Sequence, residues 1–110
     1  MLKSKRYENK KYLKAARGQS CTLRLTVCDY NPETTVACHN PFVGSGMGTK
    51  SGDDNICFGC HMCHAVLDNR IQSRYSREEL KEIFETARYL THVKLAEMGV
   101  MPKDEIGKVR

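Results

Sequence analysis

Apolar residues recur at helical spacing in the last third of the chain and predict one long amphipathic helix there. Ser76 and Glu79 have the spacing of a capping box that would begin this helix, and Gly99 and Pro102 would end it. We expect its apolar face to pack as core over the rest of the fold. The residues of this face are Leu80, Ile83, Phe84, Ala87, Leu90, Leu95 and Met98.

Further upstream, the alternation of apolar and polar positions predicts two short strands. Residues 21–28 combine this alternation with β-branched side chains, and turn-forming residues follow at 29–33. Residues 34–39 predict a second strand, which Asn40 and Pro41 would stop. We therefore expect these two strands to pair with each other as a hairpin.

A shorter helix and a glycine-rich loop complete the pattern. The helix should begin near Cys60 or Cys63 and continue to Arg70. The loop spans residues 44–54 and resembles a phosphate-binding loop only superficially, because Thr49 stands where that motif has its second glycine. We interpret this loop as a mobile connector.

These elements predict a small α+β protein with three segments. Residues 1–18 would form a basic N-terminal arm, residues 19–75 a compact core, and residues 76–110 the long helix with a tail. At 110 residues, with no tryptophan and few other aromatic residues, the chain offers only a marginal hydrophobic core. A structural metal would supply folding free energy that burial alone does not.

The cellular compartment is indicated by what the chain lacks. Its first residues are charged and contain no apolar stretch of the kind found in secretory signals, and no apolar run reaches membrane-spanning length. We therefore expect no membrane association and a location in a reducing cytoplasm. In that compartment, six cysteines indicate thiolates bound to metal in preference to disulfides.

The positive charge of the chain is concentrated near its N-terminus. Residues 1–24 hold eight lysines and arginines against Glu8 alone, so the net charge of +5 arises entirely from this segment. A basic arm beside a neutral body is typical of polyanion binding through phosphate contacts, so a nucleic acid is a candidate partner. A merely solvated tail is the alternative. The expected nucleic-acid contacts are Lys10, Lys11, Lys14 and Arg17.

Two pairs of cysteines predict a zinc site. Cys60 and Cys63 are separated by two residues at the expected start of a helix, where a turn can bring both thiolates to one ion. Cys21 and Cys28 form a second pair upstream. Four cysteine ligands indicate a structural Zn²⁺. A redox-active pair of cysteines is the alternative, and it predicts a protein without bound zinc.

Polar residues near these cysteines suggest phosphodiester chemistry. His39 ends the second predicted strand, and Asn55 follows the glycine-rich loop. His64 and Asp68 share one face of the shorter helix and could bind one metal ion. Such a set offers a neutral imidazole as a base, a cation against the phosphate and an amide as a positioning group.

Taken together, these residues resemble a known class of nucleases. The cysteine pairs, with His39, Asn55 and residues 60–64, are similar to the HNH, or ββα-metal, class in its zinc-stapled form. More closely, residues 14–70 resemble the YbcO-like nucleases of lambdoid phages and prophages. The motifs that carry this likeness lie at 14–18, 31–34, 46–50, 60–64 and 68–70.

The resemblance implies a role for each candidate residue. The four cysteines Cys21, Cys28, Cys60 and Cys63 would bind the structural zinc and clamp the hairpin to the helix. His39 would be the general base, and Asn55 would hold the loop and the His39 imidazole in register. His64, with Asp68 as its partner, would bind Mg²⁺, Mn²⁺ or Zn²⁺ as the catalytic ion that stabilises charge on the leaving oxygen.

The resemblance also implies the fold and the activity. The core would be a ββα-metal finger followed by the amphipathic helix. The protein would be a phage- or prophage-encoded endonuclease that hydrolyses DNA in the bacterial host cytoplasm. One residue departs from the pattern, because Cys38 stands where many HNH enzymes have an aspartate ligand, and a thiolate is a poor ligand for magnesium.

The remaining cysteines and histidines receive no catalytic role. Cys57 could pair with Cys60 at the same spacing, but it stands where the motif has an apolar residue, so we expect Cys57, like Cys38, to be buried. We expect His61 to be a solvated turn residue and His92 to lie on a helix surface without a partner. The alternative function is a non-catalytic zinc module that binds DNA or another protein.

Overall fold

The computed structural model describes residues 7–43 and 51–110. Most of the predicted connector, at 44–50, and residues 1–6 of the basic arm lie outside the described residues. The described chain forms an α+β fold with a two-stranded sheet, as predicted. In chain order its elements are α1 (Lys10–Lys14), β1 (Val36–His39), β2 (Ile56–Gly59), α2 (His61–Leu67) and α3 (Arg77–Glu97), with short 3-10 turns at Pro32–Thr34 and Lys103–Glu105.

The sheet pairs β1 with β2, which follows the glycine-rich loop, and not with the predicted strand at 21–28. The two strands are antiparallel, with Val36 opposite Gly59 and His39 opposite Ile56. Residues 21–28 instead form turns. The prediction of a strand at 21–28, and of its hairpin with the next strand, was therefore wrong.

The alternating pattern of this segment has a different cause. Its leucines are buried, but the backbone turns between them, and Arg24 adopts a left-handed φ of 48°. The turn directs two N–H groups at sulfur atoms. Arg24 N–H donates to Cys21 Sγ over 3.4 Å, and Leu25 N–H donates to Cys63 Sγ over 3.3 Å. A turn wrapped around buried sulfurs alternates its side chains in burial much as a strand does.

Of the two short helices, α2 begins near the predicted position, and α1 lies within the predicted basic arm. Helix α1 is capped by Asn9, whose side chain accepts a hydrogen bond from Lys11 N–H, and it buries Tyr12. Helix α2 is capped by Cys60. It ends before the predicted limit, because Asn69 adopts a left-handed φ of 58°.

Helix α3 begins with the predicted capping box of Ser76 and Glu79. Its buried stripe is narrower than the spacing predicts. Among the residues of the predicted face, Phe84, Ala87 and Leu95 are fully buried, whereas Leu90 and Met98 are exposed. None of the described helices, α3 included, is long and apolar enough to cross a membrane.

Two polar residues of α3 occupy part of the buried stripe. Thr91 Oγ1 accepts a hydrogen bond from Phe58 N–H over 2.9 Å. His92 Nε2 donates to the Asp54 carbonyl over 2.7 Å, and His92 Nδ1 accepts from Gly107 N–H over 2.9 Å. The expectation that His92 lies on the surface without a partner was wrong, because these hydrogen bonds compensate for its burial.

Strand β2 packs closely against its surroundings. Cys38 and Cys57 lie opposite each other in the sheet and are fully buried, as predicted. A Cβ atom at Gly59 would approach both Cys38 Sγ and the side chain of Leu23 to 2.8 Å. Glycine at this position therefore allows the sheet to lie against the 21–28 turn.

Candidate metal centre and catalytic cleft

Four cysteines form a cluster between the 21–28 turn and the start of α2. The sulfur atoms of Cys21, Cys28, Cys60 and Cys63 all lie within 4.8 Å of one another, and those of Cys28 and Cys60 are 3.7 Å apart. Tetrahedral zinc with bonds of about 2.3 Å places its sulfur ligands about 3.8 Å apart. This cysteine cluster can therefore hold one metal ion such as zinc.

Backbone geometry supports the cluster. Cys60 is the N-cap of α2, and its Sγ accepts a hydrogen bond from Cys63 N–H over 3.4 Å. The turn at 21–28 adds the N–H donors of Arg24 and Leu25 described above. Amide donors aimed at sulfur stabilise the thiolate form, which is the form that binds metal. The 21–28 turn therefore contributes two of the four cysteines and two of the N–H groups that donate to their sulfur atoms.

The thiols of the cluster influence one another strongly. A hydrogen bond from Cys63 lowers the pKa of Cys21 to about 4. Burial raises the pKa of Cys28 to about 11, and the hydrogen bond to Cys21 raises that of Cys63. A buried set of sulfurs therefore resists carrying several negative charges by itself, and a divalent cation would compensate for that repulsion.

The other cysteines lie outside this cluster. All six cysteines are free thiols. Cys57 does not belong to the cluster and faces Cys38 across the sheet. His61 is exposed, as expected, and its N–H donates to Thr34 Oγ1 over 3.2 Å. Among the described residues, the four cysteines are the one group of three or more ligating side chains gathered closely enough for a metal ion.

His39 stands at the end of β1, against a carboxylate that sequence reasoning missed. His39 Nε2 lies 2.8 Å from Asp53 Oδ1, and the side chain of His39 is 24% exposed whereas that of Asp53 is 2% exposed. Asp53 Oδ2 also accepts a hydrogen bond from Asn9 N–H over 2.8 Å. A signal was present in the sequence, because two acidic residues directly precede Asn55 and the apolar strand β2.

Asn55 is buried and connects three parts of the fold. Its Oδ1 accepts hydrogen bonds from Arg88 Nη1 of α3 over 2.8 Å and from Asn40 Nδ2 over 3.3 Å. Its carbonyl accepts a hydrogen bond from Asn40 N–H over 3.0 Å. Asn55 thus fixes the residue that follows His39, while the direct contact to the imidazole comes from Asp53.

His64 and Asp68 lie together on α2 and its C-cap. His64 Nε2 is 3.1 Å from Asp68 Oδ2, and Arg70 approaches the same oxygen at 3.7 Å. Burial lowers the pKa of His64, which favours the neutral imidazole that binds metal. The pair offers two ligand atoms, so water and substrate oxygens would complete the shell of a hard cation such as Mg²⁺.

His39 and His64 line the same depression, which we call the histidine cleft. It has a volume of about 410 Å³. Asp68 and Ser51 also contribute to its wall. The cleft therefore brings together a candidate base and a candidate pair of metal ligands from a strand and a helix.

A second depression adjoins the first at His39. This basic cleft, of about 640 Å³, lies between α1 and β1 and is lined by Lys14 and Arg17 in addition to His39. Lys10 and Lys11 are exposed on α1 but do not line it. The four predicted nucleic-acid contacts thus divide into a pair at the cleft and a pair beside it.

Comparisons with known proteins identify a family whose members are similar to this chain. The family model described as "Putative nuclease YbcO" matches residues 10–100. Curated relatives include "Putative nuclease YbcO" of Escherichia coli (strain K12) and "Putative nuclease ybcO" of Enterobacteria phage 82. Each is 40% identical over an alignment of 70 residues, with 59% of this chain and 73% of the relative covered. A solved structure described as "Structure of a putative bacteriophage protein from Escherichia coli str. K-12 substr. MG1655" is similar with a TM-score of 0.65 and 30% identity, over 80% of this chain and 99% of that one.

Proposed function

The chain belongs to the YbcO family, whose relatives are named as nucleases, and from this premise we propose that it is a metal-dependent endonuclease of the HNH type that hydrolyses DNA. The observation that carries the proposal is the histidine cleft, where His39 lines the same depression as His64 and Asp68. The relative from a phage supports action inside the cytoplasm of a bacterial host.

The order of the elements supports the HNH assignment. Strands β1 and β2 are antiparallel and lead directly into α2, with the candidate base on the first strand and the candidate ligand His64 on the helix. In this arrangement Cys21, Cys28, Cys60 and Cys63 would bind a structural Zn²⁺ and so fix the 21–28 turn to α2. The zinc would hold the cleft walls in place and take no part in the chemistry.

His39 acts as the general base. Its imidazole accepts a proton from a water molecule while the oxygen of that water forms a bond to phosphorus and the bond from phosphorus to the leaving oxygen breaks. His64 and Asp68 would hold a divalent cation such as Mg²⁺ or Mn²⁺, which would supply positive charge to stabilise the leaving oxygen. Asn55 keeps the segment that bears His39 in place through its two hydrogen bonds to Asn40.

The basic helix α1, with Arg17 in the turn that follows it, supplies the binding energy for the phosphate backbone. Lys14 and Arg17 line the cleft that adjoins His39, so they contact phosphates next to the one that is cleaved. Lys10 and Lys11 lie on the same helix and add longer-range attraction. Contacts of this kind carry no sequence information, so they support cleavage with little sequence preference.

A nicking assay tests the proposal. Zinc-loaded protein is incubated with supercoiled plasmid and Mg²⁺ or Mn²⁺, and His39→Ala is compared with the wild type. General-base removal should lower the rate by about 10²–10⁴-fold. His61→Ala removes an exposed histidine of α2 and serves as the matched control with an unchanged rate. Equal trace activity in the wild type and in His39→Ala would contradict the proposal.

One observation favours a non-catalytic alternative. Cys38, which stands beside His39, is fully buried and faces Cys57, so it offers no ligand to an ion in the cleft. The protein would then be a zinc-braced module that binds DNA through α1. This alternative predicts DNA binding of equal strength in the wild type and in His39→Ala, with no metal-dependent nicking by either.

A further inference from the structure

A buried carboxylate contacts the imidazole of His39. Asp53 Oδ1 lies 2.8 Å from His39 Nε2, and the carboxylate is almost completely shielded from water. A carboxylate can only accept a hydrogen bond, so the neutral imidazole must place its proton on Nε2 to make this contact. The lone pair of His39 then resides on Nδ1.

Asp53 is itself held at a second oxygen and at its backbone. Its Oδ2 accepts a hydrogen bond from Asn9 N–H, at the N-cap of α1, over 2.8 Å. Its N–H donates to the Tyr7 carbonyl over 2.8 Å. These contacts fix the carboxylate between the start of α1 and the end of β1. An imidazole bound to so well-anchored a partner has little freedom to rotate.

We propose that Asp53 is a positioning residue that fixes the tautomer and orientation of His39, so that Nδ1 is the atom that accepts the proton of the attacking water. This inference rests on the proposed function of His39 as general base. Because Asp53 also anchors α1, the same carboxylate fixes the base relative to Lys14 and Arg17 in the adjoining basic cleft.

A purely structural role is the competing explanation, since Asp53 tethers α1. The neighbouring residue provides a matched control for it. Asp54 is also buried, at 3% exposure, but its Oδ2 accepts a hydrogen bond from Arg110 N–H over 2.8 Å and the residue packs toward the C-terminal tail. Replacing Asp54 with Asn removes the same charge from the same loop without changing the partner of His39.

The experiment measures single-turnover nicking at saturating DNA. Asp53→Asn should lower the rate by at least about 10-fold, since an amide can present its NH₂ group to Nε2 and stabilise the wrong tautomer. Asp53→Glu, which keeps the carboxylate, should recover part of the rate, and Asp54→Asn should retain the wild-type rate. In the His39→Ala background, Asp53→Asn should cause no further loss, because its effect acts through the imidazole.

Several outcomes would overturn the inference alone. They are a wild-type rate in Asp53→Asn, an equal loss in Asp54→Asn, or a full additional loss when Asp53→Asn is combined with His39→Ala. Inactive wild type, or full activity in His39→Ala, would instead defeat the proposed function.

A measurement that needs no nuclease activity tests the role of Asp53 separately from the proposed function. The imidazole ¹⁵N shifts of zinc-loaded protein, assigned with His39→Ala, should show a protonated Nε2 and an unprotonated Nδ1 in the wild type. Asp53→Asn should change this pattern while Asp54→Asn leaves it intact. A proton on Nδ1 of the wild-type His39 would overturn the inference whatever the nicking assay gives.

Discussion

The cysteine cluster and the histidine cleft are adjacent, yet the chain builds them in different ways. The cluster consists of one residue type contributed by two short segments, the 21–28 turn and the start of α2. The cleft combines different residue types from β1, α2, the loop at 51–55 and, through Asp53, the start of α1. The first is specified by ligand chemistry, whereas the second requires the whole fold.

Exposure separates the two regions as well. Cys60 and Cys63 are fully buried, whereas the side chains of His39 and His64 are 24% and 28% exposed. Buried cysteines contribute to stability, whereas partly exposed histidines can contact water and substrate. We therefore expect changes at the cluster to affect the entire protein, and changes at the cleft to affect catalysis or binding while the fold remains.

The largest effect should follow removal of the metal. Chelation, or Cys63→Ser, should abolish cooperative unfolding and DNA nicking together, because structural zinc contributes about 10–16 kcal/mol of apparent binding free energy in small domains. Zinc content and thermal unfolding measured on the same samples test this expectation.

The matched control for the metal uses a cysteine outside the cluster. Cys57→Ala removes a fully buried thiol that is not part of the ligand set. It should retain stoichiometric zinc and lower the free energy of unfolding by about 0.5–3 kcal/mol, as ordinary core substitutions do. Loss of zinc in Cys57→Ala, or a folded Cys63→Ser protein without zinc, would contradict the assignment of a structural zinc to the cysteine cluster.

A smaller effect should follow removal of the basic pair at the cleft. Lys14→Ala combined with Arg17→Ala should weaken DNA binding by about 10-fold and reduce the salt dependence by about one unit per lost phosphate contact. Thermal stability should not change. Fluorescence anisotropy over a range of salt concentrations measures both quantities.

The neighbouring lysines provide the comparison for this pair. Lys10→Ala with Lys11→Ala removes the same amount of charge from the basic arm but spares the cleft wall. Its effect on affinity should be smaller. If the two double variants weaken binding equally, the net charge of the arm and not the cleft determines affinity.

The smallest effect concerns pH and His92, which lies beneath the loop that bears Asp53. Burial lowers the pKa of His92 below its ordinary 6.5. Between the two pKa values the unfolded chain binds the proton and the folded chain does not, so the free energy of unfolding falls as the pH drops below about 6.5. Above that pH the contribution of His92 is fully present.

Denaturant unfolding between pH 5 and pH 8 measures this dependence. His92→Gln removes the titrating group and should flatten the slope in this window, although it lowers stability at every pH. His61→Gln changes an exposed histidine and should leave the slope as it is in the wild type. Comparison at equal zinc content separates His92 from acid release of the metal, and an unchanged slope in His92→Gln would refute the assignment.

Particular residues show how far the sequence alone could lead. The cysteine set follows from spacing, because thiolates two residues apart at a helix start converge on one point. The capping box of Ser76 and Glu79 is equally local. The prediction of a strand at 21–28 could not be rejected from local sequence, because a turn around buried sulfurs and a strand produce the same alternation of buried and exposed side chains. The partner of β1 is decided by contacts between the segments on either side of the glycine-rich loop.

The sequence by itself determined the chemical inventory of this protein: four cysteines suited to zinc, a basic arm, His39 at the end of a strand and His64 near a helix start. The tertiary structure decided which strands pair, that Asp53 and not Asn55 contacts His39, and that His39 joins two clefts. The physical reason is the distance along the chain over which each interaction acts. Ligand spacing and capping act within a few residues, whereas strand pairing and the burial of a carboxylate depend on segments that meet only in the folded chain.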